Sequence, residues 1–151
     1  MTIHRLFSKD PNDEEENVTQ NIYVFRFILF CIIVYSFEML LNSVDIFIVD
    51  KTIFTRGYVT GCLFAAVYVL ILLHLGLEHP LTKYVSITAV SLIIMAASVS
   101  LTYHMIIIIM MPIIIAGMYT SKQLSIYTFV LTVLSIIIST YAGYYYGVCD
   151  A

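Results

Sequence analysis

Five apolar blocks occupy the chain from Ile22 to Gly147, with a polar stretch before them and Val148-Cys149-Asp150-Ala151 after them. A hydrocarbon core about 30 Å thick takes about 20 helical residues at ~1.5 Å each. The first block, Ile22 to Leu41, and the second, Gly57 to Leu77, have that length. The third runs from near Tyr84 to Leu101, the fourth from His104 to Met118, and the fifth from near Ser125 to Tyr146. In lipid every backbone N–H and C=O must be satisfied within the chain, so spans of this kind are helices. The expected fold is all-α: a multi-pass transmembrane helical bundle of about five apolar helices. It comprises a polar acidic tail at 1–21, the bundle at 22–147 and a short end at 148–151.

The third and fourth blocks are the short ones, separated only by Thr102-Tyr103-His104. They fit either two tilted spans or one re-entrant hairpin, and either version enters and leaves on the same side. Pro112 falls inside the fourth block, where it removes a backbone hydrogen bond and favours a kink. Tyrosine marks the block ends. The chain has 12 Tyr and no Trp, and Tyr23, Tyr58, Tyr84, Tyr103, Tyr119 and Tyr144-Tyr145-Tyr146 stand where an aromatic belt is expected. A cytoplasmic N-terminus puts Arg5, Lys9, Lys83 and Lys122 inside, with Arg26 near that interface, and leaves Lys51 and Arg56 outside. The positive-inside rule therefore favours that orientation.

Hydrophobic residues make up 61% of the chain and charged residues 11%, both far from soluble-domain values and in the direction of the bilayer. The net charge of -3 comes from Asp10, Asp13, Glu14, Glu15 and Glu16 in the N-terminal patch, a solvated tail. Seven scattered Lys and Arg form no basic stripe, which argues against nucleic acid as a partner. No apolar run of ~7–15 residues precedes Ile22, so the first span is expected to act as its own insertion signal. Cys31, Cys62 and Cys149 stand alone, without a CxxC or Cys/His cluster. His74 and Glu78 share a helical face at i, i+4, but a transition-metal site takes three or four ligands. With Pro80 close behind, they read as a polar helix end. No GxSxG, P-loop, HExxH or GxGxxG occurs, so neither an enzyme nor a metal or other cofactor is expected.

Candidate binding residues begin in the first span. Cys31, Tyr35, Glu38, Asn42 and Asp45 recur at steps of four, three, four and three, which aligns them on one helical face. A carboxylate that deep should face the bundle interior, a wet cavity or the nearby interface. Hydrogen bonding to neighbouring helices is the plainer role for Glu38 and Asn42. With the N-terminus inside, Glu38, Asn42 and Asp45 lie near the outer face, as do Tyr103 and His104 in the tight turn and Tyr141 and Tyr145 at the end of the fifth block. These seven residues are the expected ligand-binding cluster. A carboxylate beside an imidazole would make it responsive to pH or to a cationic ligand. Ala89, Ala96, Ala97, Ser91, Ser98 and Ser100 mark the third block as the close-packing helix.

The segment MPIIIAGMYTSKQLSIYTFVLTVLSIIISTYAGYYYGVCDA, Met111 to Ala151, combines a Pro-containing apolar stretch, a polar turn with one Lys, and a long span with a Gly- and aromatic-rich exit. It resembles the N-terminal multi-pass membrane region of some bacterial GGDEF-type diguanylate cyclases and related membrane sensor proteins. The resemblance implies a downstream cytoplasmic domain that makes cyclic di-GMP. This chain has no GGDEF motif, so cyclase activity is not carried over. Five crossings also leave the C-terminus outside, and a sixth span beyond Ala151 would be needed, so the chain is expected to be a piece of a larger signalling protein. The resulting expectation is a non-catalytic sensing or anchoring region of a bacterial signal-transduction protein in the plasma membrane. Its partners would be the lipid bilayer and a downstream output domain or partner membrane helices. The alternative is a stand-alone small membrane protein, either a transporter or an accessory subunit.

Overall fold

The computed structural model describes residues 16–46, 49–101, 106–119 and 121–145. These form six helices: α1 (Glu16–Ser43), α2 (Lys51–Leu75), α3 (Thr82–Leu101), α4 (Ile106–Ile109), α5 (Met111–Gly117) and α6 (Lys122–Tyr145). Val18–Ser43, Lys51–Leu75, Thr82–Ser100 and Lys122–Tyr145 are each long and apolar enough to cross a membrane. The protein is an all-α, multi-pass membrane bundle.

Local chemistry sets the helix ends. Asp50 caps α2, its carboxylate accepting from the Thr52 and Ile53 backbone N–H groups at 2.9 Å each. Gly76 ends α2 at φ 82, a left-handed conformation that costs glycine little, while its N–H donates to Leu72 O. The turn to α3 is then tied by Thr82 Oγ1, which donates to Gly76 O at 2.7 Å.

Two features depart from the expected spans. Each long helix begins before its apolar block: α1 starts at Glu16 rather than Ile22, and α2 at Lys51 rather than Gly57. Residues read as tail, Gln20 and Asn21 among them, are therefore helical and buried, because the bundle supplies them with hydrogen-bond partners. The second departure is in blocks three and four. The third is a full helix of 20 residues, about 30 Å long. The fourth is two short pieces, split at Met110 with Pro112 in the first turn of the second. Proline lacks the N–H that a continuous helix would need there, whereas a helix start tolerates it.

The direction of each helix follows from its cross-links. Asn21 near the start of α1 meets Leu77 just past α2, and Tyr119 just past α5 meets Asn21. Near the starts of α3 and α6, Thr88 meets Tyr127 at 2.7 Å. α3 and α6 therefore run parallel, and the broken segment α4–α5 returns the chain between them. At the opposite end, Tyr35 of α1 hydrogen-bonds Ser100 of α3 at 2.7 Å. α3 lies at the centre, packed against α1, α2, α5 and α6, and Ala89, Ser91, Ala96, Ser98 and Ser100 are buried as the small-residue pattern requires.

On α6 the polarity is inverted relative to a soluble helix. α6 buries Thr128, Thr132, Ser135, Ser139 and Gly143 and exposes Ile126, Phe129, Val130, Val133, Leu134, Ile137 and Ile138. Lipid makes apolar burial nearly worthless between helices, so small residues that let backbones approach take the interface.

Candidate functional site

The face of α1 that carries Phe27, Phe30, Cys31, Val34, Tyr35 and Glu38 lines a cavity of about 190 Å³. These positions step by three, one, three, one and three, so they form one stripe along the helix. Glu38 is eleven positions after Phe27, which makes the stripe about 16 Å long. Ile93, Ile94 and Ala97 of α3 form the opposite wall, and Ile108 and Met111 of the broken segment close the side. Glu38 is the one carboxylate in this lining, and it makes no hydrogen bond or ion pair with any described residue.

Tyr35 is held in place at the Glu38 end. Its ring packs edge-on against Phe54 at 5.3 Å and Tyr58 at 5.4 Å, and its hydroxyl shares a hydrogen bond with Ser100. Ser36 and Tyr58 add a second hydroxyl pair at 2.9 Å. This packing depends on Gly57 and Gly61, a small-xxx-small pair on α2. A methyl at Gly57 would lie 2.7 Å from Ser100 Cβ and 2.8 Å from the Tyr35 hydroxyl, and one at Gly61 would lie 3.4 Å from the Tyr35 ring.

Five of the seven expected ligand residues are described, and these five do not line one pocket. Glu38 lines the α1–α3 cavity together with Cys31 and Tyr35, so this part of the expected face is present. Asn42 is buried and donates to Val49 O at 3.3 Å, closing the α1–α2 connection. It borders a separate cavity with Met39, Ser43, Lys51 and Thr55. Asp45 lies beyond the end of α1, where φ is 60 and the helical spacing no longer applies. Its carboxylate pairs with Lys51 at 2.8 Å, with both side chains exposed. Tyr141 and Tyr145 are 72% and 76% exposed on the outer side of α6. Tyr141 sits two residues, about 200°, from the buried Ser139, so it cannot share that face. Tyr103 and His104 lie outside the described residues. His79, near the His74–Glu78 pair, accepts from Leu81 N through Nδ1 at 3.2 Å and serves the turn before α3.

A second constellation, at the other end of the bundle, is one that block-end reading assigns to the aromatic belt. Asn21, 1% exposed, donates to Leu77 O at 2.9 Å and accepts from the Tyr119 hydroxyl at 2.8 Å. Gln20 donates to Met118 O at 2.6 Å. Nearby in the core, Tyr68 and Ser86 pair at 3.1 Å across α2 and α3. Burial pushes the Tyr119 hydroxyl well above its ordinary pKa, with Tyr68 adding to the effect, so it stays a neutral donor. The sequence carries two adjacent amides here, Gln20-Asn21, immediately before an apolar run, and only the long-range partners Leu77, Met118 and Tyr119 account for their burial.

The broken segment joins the two constellations. Ile108 and Met111 line the Glu38 cavity, and Met118 and Tyr119, a few residues later, are tied to Gln20 and Asn21. No protein family, curated protein or solved structure matches this chain.

Proposed function

We propose that this protein is a non-catalytic, membrane-embedded sensing region, in which occupancy of the Glu38 cavity shifts the broken segment α4–α5 and thereby the N-terminal end of α1. One observation carries this reading: Ile108 and Met111 of the segment 106–117 wall the cavity, and that segment leads directly into the Met118–Tyr119 ties to α1. A segment interrupted at Met110, just before Pro112, is a natural two-state element, since it lacks a continuous ladder of backbone hydrogen bonds to resist bending. A ligand acts on such an element only through its differential affinity for the two packings. The resemblance of Met111 to Ala151 to membrane regions of bacterial signalling proteins agrees with this reading and suggests an output reached through α1 or α6. Lys83 and Lys122 at the Asn21 end, with Arg26 close by, favour placing that end in the cytoplasm of a plasma-membrane protein.

The test uses a cysteine-free chain carrying Gln20→Cys and Met118→Cys, with disulfide formation followed in membranes. Val34→Trp, which fills the cavity from its rim, is expected to change the cross-linking rate several-fold. An unchanged rate, in a variant that still purifies as a single folded species, would sink the coupling.

A further inference from the structure

We infer that the Glu38 cavity is a binding site for a small single-chain amphiphile bearing a cationic ammonium head. This inference rests on the sensing reading for its role, and names the chemical class that the site takes.

Shape comes first. The α1 stripe from Phe27 to Glu38 is about 16 Å long, yet the cavity holds only about 190 Å³. That is below the ~300–1,000 Å³ of sites for drug-sized ligands. A long, thin space admits one extended alkyl chain better than a fused-ring body. The walls suit such a chain: Phe27, Phe30, Ile93, Ile94, Ile108 and Met111 are all apolar.

Charge sets the other half. Glu38 stands at one end of the groove with no hydrogen-bond or ion-pair partner among the described residues. A carboxylate in an apolar wall is costly unless a cation meets it. Lys51, the nearest described cation C-terminal to Glu38, is engaged by Asp45 on the exposed surface, and Arg26 stands twelve positions earlier, about 18 Å back along α1. Tyr35, one turn before Glu38, lines the same end. An ammonium against Glu38 with its chain running toward Phe27 satisfies both ends at once. An anionic amphiphile of the same length would meet like charge, and a neutral one would leave the carboxylate unmatched.

Cys31 lines the cavity and gives a reporter inside it. The full chain with Cys62→Ser and Cys149→Ser is placed in nanodiscs, and labelling of Cys31 by N-ethylmaleimide is timed. The probes are decyltrimethylammonium, decanol and decanoate at matched membrane concentrations. The ammonium is expected to slow labelling about tenfold, decanol and decanoate less than twofold, and Glu38→Gln to erase the difference. Equal protection by decanol, or ammonium protection that survives Glu38→Gln, would overturn the site. The Gln20→Cys/Met118→Cys cross-link separates the two proposals. Protection of Cys31 with an unchanged cross-linking rate supports the site and removes the sensing role. A rate that responds to Val34→Trp without any ammonium protection keeps the sensing role and overturns the ligand.

Discussion

Gly57→Ala adds one methyl group where three segments meet. Its carbon would sit 2.7 Å from both Ser100 Cβ and Oγ and 2.8 Å from the Tyr35 hydroxyl. Carbon atoms pack best at about 3.5–4.0 Å, so α2 and α3 must separate by roughly 1 Å or the Tyr35–Ser100 pair must break. Overpacking of this kind costs about 1–3 kcal/mol. Unmet buried hydroxyls would add about 1 kcal/mol or more. The better helix propensity of alanine returns up to about 1 kcal/mol. We expect a net loss of about 2 kcal/mol, read from reversible unfolding in mixed micelles by circular dichroism. Gly117→Ala is the control, because no atom lies within 4 Å of its added methyl group; it should be neutral or slightly stabilising. A double-mutant cycle with Ser100→Gly should recover about 1 kcal/mol as coupling, since that change removes both colliding Ser100 atoms. If Gly57→Ala were as stable as wild type and showed no coupling, the close approach of α2 to α3 would be refuted.

Asn21→Leu should lower stability by about 2–3 kcal/mol in the same assay, because Leu77 O and the Tyr119 hydroxyl both lose a buried partner; a change below about 0.5 kcal/mol would show that the tie is not formed. Thr132→Val should do the opposite, raising stability by up to about 1 kcal/mol, since Thr132 Oγ1 is buried without a hydrogen-bond partner among the described residues. A loss there would indicate that the hydroxyl is satisfied. Lys51→Met removes an exposed ion pair and should leave the unfolding midpoint within the error of the measurement; a clear drop would mean that the pair is shielded from water.

The membrane class and the central place of α3 were legible because apolar length and small-residue content are local properties of the sequence. The helix starts were not, since Gln20 and Asn21 lower local hydropathy and only long-range partners explain their burial. Gly57 and Gly61 stand four apart in plain view, but the ring that fills the space beside them is 22 residues earlier, at Tyr35. Tyr141 and Tyr145 were grouped with Glu38 by depth along the membrane normal. Helix angle overrules depth here: once Thr128, Thr132, Ser135, Ser139 and Gly143 are seen as the buried stripe of α6, residues two steps away must point outward. The stripe itself is hard to see in sequence because five small residues are spread through a strongly apolar run.

The parallel arrangement of α3 and α6 bears on how the protein is made. Residues 106–117, the helical part of the return between them, cover only about 18 Å as helix, short of the hydrocarbon thickness, and are broken in the middle. Such a piece leaves backbone groups open to lipid unless neighbouring helices already surround it. Insertion of α1, α2 and α3 ahead of the return would supply those neighbours. The return enters alongside α6, whose threonine and serine stripe then seals the last interface. Insertion in two steps is the expected consequence, with α6 packing after α1, α2 and α3.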